Sequence, residues 1–317
     1  MKKLFKQILK LFLITTLIFS LLALFGFTVI KSQYTGTYQA SIIEKENRLL
    51  SIKEPKIILV GNSNLTFGIN SEMIENEFSM PVVNLGLHGG LGNSFHEEMS
   101  KLNIRTGDIV LVAYSDFSDN DKITDTELAW ETIEYNYDLW KIIRIKDWPD
   151  MIAAYPKYLL NTYIYYVTKK GNADNHSIYS RSMINKYGDS IFDRNRNMNY
   201  DEYCNYKINI PIINDTFVER VNKFNDFVES KGATLLLIGY PIMDGDNSPK
   251  KIEYKKFTND LKEKLKCNVI SEYSDYLIPY KYFYDTFLHL NNEGAIIRTK
   301  QLITDLNNWK NKNEANR

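Results

Sequence analysis

Ser63 stands in the turn Gly61-Asn62-Ser63-Asn64, directly after the apolar run Lys56-Ile57-Ile58-Leu59-Val60. A serine in a Gly-x-Ser turn between a buried strand and a helix is exposed at the sheet edge, where backbone N–H groups can stabilise an oxyanion. That is where a serine nucleophile would be placed. The chain has four histidines, and only His289 has a carboxylate, Asp285, four residues before it. Such a carboxylate can hold one imidazole nitrogen while the other faces a hydroxyl. Between these two blocks lies Asn84-Leu85-Gly86-Leu87-His88-Gly89-Gly90-Leu91-Gly92. Its glycines allow close backbone approach to a ligand and offer N–H donors. Together the three blocks suggest nucleophilic acyl transfer, with Ser63 as nucleophile, His289 as base and Asp285 as the group that orients it.

Other chemistries find less support. There is no G-x-S-x-G elbow, no G-x-x-x-x-G-K-[ST] phosphate loop and no G-x-G-x-x-G fingerprint. No His, Cys and carboxylate spacing suggests a metal site, and no cofactor is expected. Cys204 and Cys267 are too few for a disulfide framework; one bridge or two free thiols are both open. Lys plus Arg equals Asp plus Glu at 39 each, so no basic excess points to nucleic acid.

The elements that must position these residues follow from periodicity. Short β-branched runs at 56–60, 81–85, 108–114, 233–238 and 268–270 read as strands. Helical patterns fall at 71–78, 94–102, 215–230, 250–266 and 292–309. Strands alternating with helices predict a parallel sheet covered on both faces, with the site at the carboxyl ends of its strands. Residues 120 to about 210 break the pattern and are rich in aromatics, among them Trp130, Tyr135, Trp140, Trp148, Tyr155, Tyr158 and Tyr163. They read as a helical insertion, loop-rich from Gly171 to Asn209. Sugar stacking, membrane contact and the plain core of a helical cap all remain open for these rings.

The N-terminus carries a separate signal. Lys2, Lys3, Lys6 and Lys10 precede an uncharged run from Leu11 to Ile30, closed by Lys31. About 20 apolar residues at about 1.5 Å each span a hydrocarbon core of roughly 30 Å. The run lacks a small-residue cleavage site, so it reads as a retained anchor. The lysines predict a cytoplasmic N-terminus and an extracytoplasmic domain. The expected organisation is an anchor over 1–31, a stalk over 32–54, one domain over 55–309 and a polar tail over 310–317.

In order and placement the three chemical blocks resemble the SGNH (GDSL-like) hydrolase superfamily, in its membrane-anchored cell-envelope form. Gly61-Asn62-Ser63 stands for the family's Gly-Asp-Ser turn, and Asn84-Leu85-Gly86-Leu87-His88-Gly89 matches its Asn-x-Gly-x-x-Gly block. Asp285 and His289 stand for its C-terminal pair, and His289-Leu290-Asn291-x-x-Gly294 is similar to envelope-acting members. The resemblance covers about 55–118 and 210–309. It implies a three-layer α/β/α flavodoxin-like parallel sheet and oxyanion donors at Ser63 and Gly89. It further implies an esterase or O-acyltransferase acting on acyl groups of a surface polysaccharide or related envelope polymer. The alternative is a non-catalytic partner of a multi-pass membrane acyltransferase. Two departures stand out. Tyr114-Ser115-Asp116 replaces the family's asparagine block, which makes Asn93 the candidate third donor, and the Asp–His spacing is four where the family has three.

Overall fold

The computed structural model describes residues 1–30, 32–118, 121–134, 136–168, 177–246 and 248–315. Lys31, Tyr135 and Gly171, named above, lie outside the described residues, as do Asp119 and His176. The chain is α/β. Five parallel strands, β1 (Ile57–Gly61), β2 (Val82–Asn84), β3 (Ile109–Ala113), β4 (Thr234–Leu237) and β6 (Asn268–Val269), form one sheet in the order β2-β1-β3-β4-β6. Register is in step across the centre, with Ile57 opposite both Val82 and Ile109, and Ile109 opposite Thr234. The edge strand β6 is two residues long, which limits its unpaired edge.

Alternate side chains go to opposite faces, as strand geometry requires. Ile58, Val60, Val110, Val112, Leu235 and Leu237 join one apolar cluster, and Ile57, Leu59, Leu111, Ala113, Leu236 and Ile238 join another. The first face is covered by α5 (Asn93–Ser100), α9 (Asp215–Ser230) and α10 (Lys251–Lys264), through Phe95, Phe217, Val221, Phe224 and Phe257. The second is covered by α4 (Ser71–Phe78) and α11 (Asn292–Ala315), through Ile74, Leu302 and Leu306. Helix starts are marked by short polar side chains: Asn70 accepts from the Met73 N–H, and Asn214 from the Thr216 N–H.

α1 (Lys2–Thr28) contains a segment from Lys2 to Gly26 long and apolar enough to cross a membrane. The segment read as a stalk is packed into the domain instead. Tyr34 and Tyr38, with Ile42 and Leu49 of α2 (Ile42–Ser51), are buried in the main cluster. The amphipathic period of α2 supplies a core face, which a free stalk would not need. The insertion holds α6 (Thr126–Ile133), α7 (Trp148–Thr168) and the short α8 (Tyr200–Cys204). Much of its aromatic content is core: Trp130 is buried against Trp140, Trp148, Tyr155 and Tyr158. A small parallel pair of β5 (Ile242–Asp244) and β7 (Leu277–Pro279) has no counterpart in the sequence reading, since three residues are too few to show a period. α11 runs on to Ala315, through most of what read as a polar tail. Cys204 is exposed and Cys267 buried, and both thiols are free.

Candidate active site

The switch in strand order falls between β1 and β3, and their carboxyl ends form the site. After β1 the chain turns into α3 (Ser63–Thr66), with Ser63 its first residue. Asn62 caps this turn through its Oδ1, which accepts from the Asn64 N–H at 3.0 Å and from Asn64 Nδ2 at 2.6 Å. Asn62 Nδ2 donates to the Ser115 hydroxyl at 2.7 Å, tying the turn to the end of β3. Gly61 and Gly86 make this approach possible. A Cβ on Gly61 would stand 2.9 Å from the Ala113 carbonyl oxygen, and one on Gly86 2.8 Å from the Thr66 nitrogen.

The structure brings Ser63, His289 and Asp285 into one chain of contacts. His289 Nε2 lies 2.9 Å from Ser63 Oγ, and His289 Nδ1 lies 2.8 Å from Asp285 Oδ1. Ser63 and His289 are 226 residues apart. Both are buried, at 8% and 6% exposure, so the contact is largely shielded from solvent. Phe67 packs on the imidazole with ring centroids 4.5 Å apart. The four-residue spacing is accommodated by a turn at Thr286, whose hydroxyl oxygen accepts from the Leu288 and His289 N–H groups at 3.3 and 3.1 Å.

Burial pulls the Asp285 carboxyl up, but its bond and charge contact with His289, with help from Tyr179, outweigh this and hold it below the ordinary range. The Tyr179 hydroxyl donates to Asp285 Oδ2 at 2.8 Å, and the Tyr206 hydroxyl to the Asp285 carbonyl at 3.2 Å. Burial, then the bond to Asp285, pushes the Tyr179 phenol up, so it remains a donor. Both tyrosines come from the aromatic insertion. Two arginines fix the surrounding backbone. Arg298 of α11, fully buried, donates from Nη1 to the Asn64 carbonyl at 2.5 Å and from Nη2 to Asn64 Oδ1 at 2.8 Å. Arg194 Nε donates to the Leu290 carbonyl at 2.9 Å. The His289-Leu290-Asn291-x-x-Gly294 spacing has its own reason: Asn291 Oδ1 accepts from the Gly294 N–H at 2.9 Å and starts α11.

The remaining candidates stand as follows. Gly89 lies against Asn62, where an added Cβ would stop 3.7 Å from the Asn62 side chain. Asn93 is buried and donates one of its two amide protons to the Asp116 carbonyl at 3.2 Å. Ser115 instead reaches the Ser63 turn, through Asn62. The sequence places Ser115 directly after the third strand, at the carboxyl edge of the sheet, but assigns it no role. No local signal marks Tyr179, Tyr206 or Arg298.

Beside the relay is a cavity of about 290 Å³ at the ends of β3 and β4, small for a ligand site. Ile208, Ile210, Tyr240, Ile242 and Met243 line it, and it meets the site at Ser115, Tyr206 and Phe287. Among the described residues no group of three or more His, Cys, Asp or Glu side chains is arranged to hold a metal. No protein-family model matches the chain, and comparison with curated proteins and with solved structures gives no match.

Proposed function

We propose that the chain is a membrane-anchored serine esterase or O-acyltransferase of the SGNH type, built on a flavodoxin-like three-layer α/β/α domain. The observation that carries this reading is the unbroken Asp285–His289–Ser63 relay, with contacts of 2.8 and 2.9 Å. His289 Nε2 takes the Ser63 proton as Oγ attacks an ester carbonyl, and Asp285 stabilises the imidazolium that forms. The Ser63 and Gly89 amides bind the oxyanion. Ser115 joins Asn93 as a candidate third donor, because its oxygen accepts from Asn62 and its own proton is left to give. His289 then returns the proton to the leaving alcohol. Water, or a sugar hydroxyl deprotonated by His289, releases the acyl group from Ser63.

The strand order β2-β1-β3-β4-β6, with the site at the β1/β3 switch, supports the flavodoxin-like description. The anchor helix and its preceding lysines support a single-pass protein with an extracytoplasmic domain. That location makes an acylated carbohydrate or related envelope polymer the substrate class, and the cavity beside Ser115, mostly apolar with Lys207 and Asn209 on its wall, suits the acyl chain.

The test is covalent labelling of the full-length protein in detergent with a fluorophosphonate probe. Labelling of wild type, lost in Ser63→Ala and His289→Ala, is the expected result. A folded wild type that takes no label sinks the enzyme reading. It would leave the chain as a non-catalytic partner of a membrane acyltransferase.

A further inference from the structure

α7 has more apolar surface than its own packing uses. Met151, Tyr158, Leu159 and Thr162 form its buried side. Its opposite side exposes Ile152 (63%), Leu160 (60%), Ile164 (46%) and Val167 (75%), with Ala153 and Pro156 exposed among them. At about 3.6 residues per turn these six fall in one arc of roughly 120° with no charge inside it. Asp150 and Lys157 stand at its margin, and Lys157 is drawn to Glu127 of α6 at 2.6 Å.

This face adjoins the anchor. The Tyr163 hydroxyl donates to the Leu22 carbonyl at 2.7 Å. Tyr163 stacks on Phe25 at 6.3 Å, and Tyr155 meets Phe19 edge-on at 6.4 Å. At Gly26 the helices are in contact, since a Cβ there would lie 2.8 Å from Leu159 Cδ1. On α1 these contacts run from Phe19 to Gly26, about 10 Å of rise at the outer end of the apolar run. A bilayer spanned by α1 therefore extends beside α7 as well. An uncharged, aliphatic helix face rimmed by tyrosines matches the boundary between headgroups and acyl chains.

We propose that α7 is a second membrane element, an amphipathic helix seated in the outer leaflet with its Ile152–Leu160–Ile164–Val167 face in lipid. The inference rests on the reading of α1 as a membrane span. Its consequence is that the site is held close to the bilayer. Tyr34 stacks on Tyr158 of α7, Thr37 bridges Ser180, the Tyr38 N–H donates to the Tyr179 carbonyl, and Tyr179 holds Asp285.

The full chain in proteoliposomes provides the test. In a Cys204→Ser background, Cys267 stays silent, because burial pushes its thiol up to about 12. Single cysteines at Leu160 and Val167 on α7, Ile14 on α1 and Lys255 on α10 carry a polarity-sensitive fluorophore, and phospholipids spin-labelled on the acyl chain serve as quencher. The expected result is loss of at least half the emission at positions 160, 167 and 14, and none at 255. Quenching at 14 alone, with 160 and 167 reacting with an impermeant thiol reagent as fast as 255, overturns the inference and leaves the anchor standing. Positions 160 and 167 shielded from both quencher and reagent would mean a protein covers the face, which also overturns it. No quenching at 14 removes the span, and the inference falls with it.

Discussion

Asp285 meets partners on both carboxylate oxygens, His289 on one and Tyr179 on the other. A carboxylate held below its ordinary range favours folding above the unfolded-state value, and that contribution is lost as pH falls through the lowered folded-state value. Asp285 therefore stays anionic throughout the neutral and mildly acidic range, as a group supporting an imidazolium must. Tyr179 acts through its bond to Asp285, with its ring 6.2 Å from the His289 ring, which makes it a positioning residue. Tyr179→Phe keeps the ring packing and removes one hydrogen bond to a charged acceptor, an interaction worth about 1.5–3 kcal/mol in stability. Only part of that reaches the transition state. The expected result is a kcat about three- to tenfold lower with KM unchanged, measured on a chromogenic ester. An unchanged kcat would leave Tyr179 no part in orienting the relay.

At the scale of elements, the cavity beside the relay is walled by β5 and by residues 206–211 of the insertion. Strands about 4.8 Å apart place the end of β4 about 10 Å from the end of β1, within reach of a medium-length acyl chain on Ser63. Ile242→Trp should fill this space and shift preference toward acetyl or propionyl esters by at least tenfold in relative kcat/KM, read across a series of ester chain lengths. An unaltered chain-length profile would take the acyl group out of this cavity. α6 carries a second testable group. Burial, followed by the nearby carboxylates of Glu127, Asp125 and Glu134, raises Glu131 from 4.5 to about 7. Its contribution to stability is thus intact below pH 4.5 and lost as pH rises through about 7. Glu131→Gln should raise Tm by a few degrees at pH 8 and leave it unchanged near pH 4.5, in paired thermal melts. An equal shift at both pH values would contradict the assignment.

For the whole molecule, the proposed membrane span raises the question of which side the domain occupies. Native Cys204 is an exposed reporter for it. An impermeant maleimide should label wild-type protein in intact spheroplasts and leave Cys204→Ser unlabelled. Labelling that requires permeabilisation would put the domain inside and remove the envelope polymer as substrate. The stalk that proved to be core bears on the same scale. With Tyr34, Tyr38, Ile42 and Leu49 buried in the domain, α1 joins it with little slack. On the proposed membrane reading, the distance from site to bilayer is then a property of the fold, not of a linker.

The sequence by itself determined the alternation of elements, the N-terminal helix long and apolar enough to cross a membrane, and which residues meet in the Asp285–His289–Ser63 contacts. Each depends on a signal contained in a few adjacent residues: a β-branched run, an apolar period, a glycine turn, or a carboxylate one turn from a histidine. Only the tertiary structure decided what surrounds the relay. Tyr179 reaches Asp285 across 106 residues and Arg298 reaches Asn64 across 234. Such pairings follow from strand order and from where the insertion folds back, and neither leaves a local period to read. The same applies to the third donor. Ser115 lies at the expected place after β3 and Asn93 outside it, and packing turned Asn93 toward Asp116 and joined Ser115 to Asn62.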